Sequence, residues 1–495
     1  MEKLNILLAA SEVVPFAKSG GLADVSGALP KALKELGHDI RVVMPRYYVV
    51  DKEKYNLKLL EGSLGVPMGV MGELWAAVYE GRLPGSDVSI YFIEYDAFFG
   101  RKGLYDEDGE GFDDNDNRFI FFSKAVMQLA KKLHFRPDVI HANDWHTAPI
   151  PMLLNTSYAF DSNFANTGSL LSIHNLEHQG KFYKGAMDVL GIGWEHFTAN
   201  ELEEYDGVNL LKGGIVHADA INAVSKKYAQ EIRTSDFGFG LESLINEKAY
   251  KLFGILNGVD YDEWSPSVDT LIPFNFDADS LEGKAQCKTE LQKRFNLPQR
   301  QEVPLIGLVG RLAEQKGITL IASVLETILE MDIQIVLLGT GERWAESFFS
   351  HRAEKYPEKF ACYIGYDNTI AHEIEAASDM FLMPSLFEPC GLNQIYSLRY
   401  GTLPIVRATG GLDDTIENYD AYHKSGTGFK FYDATPSALL DTIRWAVDTF
   451  YNDKEGIDAL RQNAMAKRYE WSKAAKGYED VYRHIIHGRQ NNEHN

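Results

Sequence analysis

Short apolar runs rich in β-branched residues recur along the chain, separated by stretches of helical periodicity. In order they are LNILLAA (4–10), DIRVVMP (39–45), VSIYFIEY (88–95), PDVIHAND (137–144), SLLSIHN (169–175) and AINAVS (220–225). A second series follows: PLIGLVGR (304–311), IQIVLLG (333–339), FACYIGY (360–366), DMFLMPS (379–385) and LPIVRAT (403–409). Continuous rather than alternating hydrophobicity suits strands buried on both faces of a parallel sheet. The helical stretches between them include GALPKALKELGH, which puts Leu29, Leu33 and Leu36 on one face and stops at Gly37. Alternation of this kind predicts doubly wound α/β units.

The alternation pauses over 257–303, where NGVDYDEWSPSVDT is rich in turn formers and PFNFDADSLEGKAQCKTELQKRFNLP reads as a loop and one amphipathic helix. A boundary at the start of that stretch divides the chain into an N-terminal Rossmann-like domain, 1–256, and a C-terminal one, 257–468. The segment SKAAKGYEDVYRHIIH carries Tyr478, Val481, Tyr482, Ile485 and Ile486 at helical spacing. It predicts a docked helix over 469–488 and a frayed tail over 489–495. In open α/β sheets ligands bind beyond the carboxyl ends of the strands, so an interdomain cleft is the expected active site.

Composition narrows the partners. The 495 residues carry a net charge of −22, which argues against a nucleic-acid or anionic-membrane binder and makes individual cations informative. Three scattered cysteines point to a reducing compartment, and the apolar core of MEKLNILLAASEVV is too short for a secretory signal or a membrane span. A cytoplasmic protein is expected.

The chemistry-bearing stretches sit at strand ends. Gly20-Gly21 and Gly410-Gly411 precede helices, where N–H groups favour anions, although plain tight turns use the same residues. Arg311 and Lys316, five residues apart past a buried strand, suggest a diphosphate, and Lys18 adds charge before the first glycine pair. HANDWH (141–146) and SIHNLEHQG (172–180) place Asp144, Trp145, His174 and Asn175 where sugar hydroxyls and ring stacking fit. A metal on His141, Asp144 and His146 lacks a ligand spacing, and Glu388 either accepts sugar hydroxyls or caps the helix after Gly391. VLLGTGERW has Trp344 in place of a third glycine, so no nicotinamide cofactor is expected. DEDGEGFDDNDN, with Asp106, Asp108, Glu110 and Gly111, ends on Asn117 rather than a bidentate glutamate, and reads as a solvated acidic loop.

Taken together, KSGGLADV, HANDWH, SIHNLEHQG, LNGVD, GRLAEQKG, FEPCGLNQIYSLRYGTLPIVRATGGLDDT and YEWSKAAKGYEDVY resemble the glycogen and starch synthases of bacteria and plants, in order over nearly the whole chain. The resemblance implies two facing Rossmann-like domains of the GT-B type, with the C-terminal helix crossing back to the first. It implies glucose transfer from ADP-glucose, or UDP-glucose, to the non-reducing 4-OH of an α-1,4-glucan, with retention and with neither cofactor nor metal.

By resemblance Arg311 and Lys316 hold the donor diphosphate, with Lys18 facing it, and Gly20, Gly21, Gly410 and Gly411 offer backbone contacts. His174, Asp144, Asn257 and Glu388 hold the transferred glucose, Tyr366 stacks near the adenine, and Tyr105 and Trp145 lie near sugar and acceptor. Asp24, Cys390, Gly391, Leu392 and Thr409 complete the implied substrate contacts. Tyr396 stands where the wider superfamily often has a ribose-binding glutamate, which leaves that contact open. Rival readings are a sucrose-type synthase, a sugar-nucleotide epimerase, or a glucan-binding protein without activity.

Overall fold

Every apolar run in the two series is a strand in the computed structural model, which describes residues 2–107 and 109–492. The chain folds as two units: one takes the sequence up to Gly258 together with the segment from Trp471 onward, and the other is Val259–Glu470.

In the first unit ten of the described strands form one sheet. Across it lie Leu252–Gly254, Ala220–Ala223, Gly168–Ile173, Val139–Asn143, Asn5–Ala9, Asp39–Pro45 and Ser89–Glu94, all parallel. Register aligns Leu8 and Leu170 on either side of His141, which brings three carboxyl ends together: those of the Asn5–Ala9, Val139–Asn143 and Gly168–Ile173 strands. Beyond Ser89–Glu94 the sheet continues antiparallel, through Glu73–Arg82 to Lys58–Leu59 and Leu64–Pro67. That edge was not expected. Its longest strand, ELWAAVYEGR, mixes exposed and buried positions and lacks the continuous apolar run of a buried parallel strand.

Helix Trp471–Asn492 belongs to this first unit. It packs on helix Gly21–Glu35 and on strands Gly168–Ile173 and Val139–Asn143. Tyr478, Val481, Tyr482 and Ile485 are buried, the Tyr482 hydroxyl lies 2.9 Å from His141 Nδ1, and Asn222 Nδ2 donates to the Tyr478 hydroxyl at 3.1 Å. The helix runs past its expected end, so 489–492 continue it, and 493–495 lie outside the described residues.

The second unit has a six-stranded parallel sheet, in the order Phe360–Ile364, Gln334–Gly339, Leu305–Val309, Met380–Met383, Leu403–Arg407 and Phe429–Phe431. Helix Ile318–Leu329 covers one face with Ile321, Leu325 and Ile328, packing beside Leu439 and Ile443 of helix Pro436–Asn452. The amphipathic helix expected after the turn-rich stretch is Glu282–Arg294. Its buried Lys288 meets Asp379 at 2.7 Å, and Arg461 takes the other oxygen at 2.8 Å. Buried charges of this kind are tolerated because each has its partner.

Candidate active site

The first unit gathers its candidate residues at the carboxyl ends of its three central parallel strands. The chain leaves Asn5–Ala9 and returns to the start of helix Gly21–Glu35 through a loop that carries Glu12, a residue with no expected role. Glu12 is buried, and its carboxylate accepts from the Ser19 N–H, the Gly20 N–H (3.2 Å), the Ser19 hydroxyl (2.6 Å) and the Tyr105 hydroxyl (2.6 Å). A carboxylate of the chain itself takes the N–H groups of this loop. Gly20 N–H, expected to meet phosphate, is therefore committed to Glu12, whereas a Cβ at Gly20 or at Gly21 would meet nothing within 4 Å. Lys18 pairs with Asp24 in the first helical turn at 2.7 Å. Burial pushes the Asp24 carboxyl up, and Lys18 counters it.

Asp144 follows the neighbouring strand in the left-handed region, φ +56°, which a non-glycine residue adopts at a cost. Its Oδ1 accepts from the His174 N–H at 2.7 Å, and burial raises its carboxyl to about 7 against the N–H groups of His174 and Asn175. The His174 ring is held at 2.9 Å from Asn143 Oδ1, and burial lowers it to about 3, so it is neutral. His141, considered for a metal, has both ring nitrogens engaged, by Tyr482 and by Ser172. Asn257 is buried with its Oδ1 lacking a partner, a position that a ligand hydroxyl would satisfy.

One expectation changes here. Trp145 is not an open stacking platform: it is 8 % exposed and packed by His146, Phe119 and Phe182 at ring distances of 4.1, 5.1 and 5.4 Å. Gly180, at φ +65°, lies so close that an added Cβ would come within 2.5 Å of the indole. Tyr105 likewise stacks on His146 at 4.7 Å and spends its hydroxyl on Glu12 and Ser11. The acidic loop considered for calcium pairs Asp106–Glu107 with Glu110–Gly111 as a small exposed hairpin, and its Asp108 lies outside the described residues.

The second unit repeats the plan at the ends of Leu305–Val309, Met380–Met383 and Leu403–Arg407, again three adjacent strands. Lys316 Nζ meets Glu388 Oε2 at 2.6 Å, and the Ser385 hydroxyl donates to the same oxygen at 2.9 Å. Glu388 is buried, while Lys316 keeps part of its surface in solvent. Arg311 Nη2 donates to Gln315 at 3.1 Å, and the Gln315 amide donates to Phe387 O at 3.2 Å, tying the cationic turn to the Glu388 loop.

Gly410 and Gly411 are glycines for a different reason than expected. A Cβ on Gly410 (φ +46°) would lie 1.9 Å from Glu388 O, and one on Gly411 would lie 1.8 Å from Cys390 O. The Gly411 N–H donates to Glu388 O at 3.0 Å rather than being left for phosphate. Thr409 and Cys390 are buried in the same junction, and Gly391 (φ +70°) and Leu392 lead into helix Asn393–Arg399. Tyr366 follows the Phe360–Ile364 strand, 68 % exposed, with its hydroxyl on Asn368 at 3.1 Å. Tyr396 stacks face to face on Trp264 at 3.9 Å, so its place in the fold is an aromatic one.

Residues 5–247 match the starch synthase catalytic domain family and 289–465 the glycosyl transferases group 1 family. Glycogen synthase 1 of Geobacter metallireducens is 55 % identical over 489 residues, 99 % of this chain and 97 % of that one. The catalytic domain of starch synthase IV from Arabidopsis thaliana, solved with ADP and acarbose, superposes with a TM-score of 0.91 at 31 % identity, over 98 % of this chain and 100 % of that one. A sucrose-phosphate synthase from Thermosynechococcus elongatus shares the fold, with a TM-score of 0.60 at 16 % identity, over 98 % of this chain and 100 % of that one. No helix among the described residues is long and apolar enough to cross a membrane.

Proposed function

The chain belongs to the glycogen and starch synthase family, glycosyltransferases of the two-domain GT-B type, and from that premise we propose how it works. It transfers glucose from ADP-glucose to the non-reducing 4-OH of an α-1,4-glucan, with retention at the anomeric carbon. The relatives named glycogen synthase and the ADP and acarbose bound to the starch synthase support this choice of donor and acceptor. Cys287 and Cys362, neither of them in a disulfide, support a cytoplasmic setting.

The observation that carries the reading is the Lys316–Glu388 pair beside Arg311, at strand ends in a chain of net charge −22. As the C1–O bond breaks toward an oxocarbenium-like state, negative charge grows on the departing diphosphate. Arg311 and Lys316 are fixed in advance to receive it, Arg311 by Gln315 and Lys316 by Glu388. Each contact of this type contributes a few kcal/mol, about 10²–10³-fold in rate. Glu388, Asp144, His174 and Asn257 orient the sugar, and Lys18 adds positive charge. The departing phosphate takes the acceptor proton, so no side chain serves as nucleophile.

Incubation with a glucan primer and either ADP-glucose or UDP-glucose, with mass analysis and digestion of the product by an α-1,4-specific amylase, tests this reading. Extension from ADP-glucose into amylase-sensitive chains is expected. Free glucose alone, or sucrose formed from an added fructose acceptor, would overturn it.

A further inference from the structure

Three side chains outside the candidate site converge in the first unit. His196 ends the short turn Trp194–His196, Glu201 lies in the loop that follows, and His217 is the last residue of helix Leu210–His217. Glu201 Oε2 sits 2.7 Å from His196 Nδ1 and 3.1 Å from His217 Nε2, and the three ligand atoms lie within 4.8 Å of one another. The two imidazole planes are inclined at 66° with centroids 5.7 Å apart, converging on the carboxylate as a wedge. All three side chains are half-buried.

We propose that His196, Glu201 and His217 form a binding site for one divalent cation of the zinc class, with a water as fourth ligand. Two imidazoles and a carboxylate are a donor set that zinc favours over magnesium or calcium, which take oxygen. Bonds of zinc length in tetrahedral geometry place ligand atoms about 3.3 Å apart, so the two carboxylate-to-imidazole spacings, 2.7 and 3.1 Å, would open by about 0.6 and about 0.2 Å, while the two imidazole nitrogens, now within 4.8 Å, would settle at the same separation. Each neutral imidazole binds through the nitrogen that now faces Glu201 and keeps its proton on the other one.

The backbone around the ligands is braced by lysines. Lys212 Nζ donates to Ala199 O and Glu203 O, both at 2.6 Å, two residues either side of Glu201. Lys251 Nζ donates to Val216 O at 2.9 Å and Ala218 O at 2.5 Å, the carbonyls flanking His217. Asn155 Nδ2 donates to His217 O at 2.8 Å. Ligands held this way lose little freedom on binding.

Between Glu201 and His217 runs the hairpin of Glu203–Glu204 and Gly207–Asn209, which pairs with Lys181–Tyr183. Its exit donates from Leu210 N to Gly180 O and from Leu211 N to Gln179 O, both at 3.0 Å, and Gly180 is the residue packed on Trp145. A cation would therefore fasten the insert that backs the Asp144–His174 cluster.

The test uses the full chain, stripped with a chelator and titrated with Zn²⁺ by calorimetry, with Co²⁺ as a spectroscopic substitute. One equivalent per chain, a rise in Tm and the intense visible absorption of tetrahedral Co²⁺ are expected. His196→Ala with His217→Ala should weaken binding by more than about tenfold. Glu201→Gln, which keeps the shape, should also weaken it and serves if the double variant fails to fold by circular dichroism. No saturable site at one equivalent, or unchanged affinity in these variants, would overturn the proposal and leave the trio as a carboxylate clamped by two imidazoles.

Discussion

Asp144 is disfavoured twice in the folded chain, by its left-handed backbone and by burial of its carboxyl. With its carboxyl raised to about 7, it binds a proton more tightly folded than unfolded. The stability this confers is complete below about pH 4, where both states are protonated, and is lost as pH rises through about 7. Asparagine stays neutral and adopts the left-handed region readily, and its Oδ1 still accepts from His174 N–H. Asp144→Asn should therefore raise Tm at pH 8, with the gain closing below about pH 4, while turnover falls steeply; thermal melts across that range check it. A flat or negative difference at pH 8 would show that the carboxylate is stabilised in a way its contacts do not explain. At Lys316 the structure alters what a substitution means. Lys316→Ala should cut kcat by about 10²–10³-fold, and it should also lower Tm, because Glu388 is left buried with only the Ser385 hydroxyl identified on its Oε2. Adding Glu388→Gln should restore Tm without restoring turnover. Wild-type turnover in Lys316→Ala would remove it from the diphosphate site. The Lys316–Glu388 pairing was half legible, because each residue stood out beside a strand end, though 72 residues apart. Glu12 was not legible: in SEVVPF it is one acid among 71, and only the folded loop shows it occupying N–H groups that glycine spacing suggested were open.

Glycine pairs that look alike in sequence separate at the level of the element. GGLADV and GGLDDT both open helices. A methyl at Gly411 would drive into Cys390 O, so Gly411→Ala should destabilise by about 2 kcal/mol or more, read as a lower denaturation midpoint. A methyl at Gly20 meets open space, and its φ of −153° is ordinary for alanine. Gly20→Ala should melt like the parent yet lose kcat/KM if a ligand approaches that backbone; equal kcat/KM would show that nothing does. Strands were legible where they are central, because burial on both faces demands continuous apolar sequence. The antiparallel edge from Lys58 to Arg82 was not, since its longest strand scatters the exposed Glu73, Trp75 and Arg82 among buried positions. The His196–Glu201–His217 cluster escaped for a related reason: spacings of five and sixteen residues match no local ligand motif, and the fold alone brings them together.

Across the whole molecule, the first unit is assembled from both ends of the chain. The terminal helix buries Ala474, Ala475, Tyr478, Val481, Tyr482 and Ile485 against its sheet and first helix. Removing everything after residue 470 should leave that surface bare. The truncated chain should lose the melting transition of the first unit, or aggregate, and a synthetic 471–492 peptide added in trans should recover part of it. An unaltered melt would show that the helix is an ornament rather than a part of the core. The topology also sets an order of events on the ribosome. Val259–Glu470 is complete within its own stretch of message and can close as soon as it emerges. The earlier-made half must wait, with an unfinished face, until the segment from Trp471 onward has been made and has left the ribosome. Its exposure to chaperones and proteases is thus governed by the time taken to translate the other half.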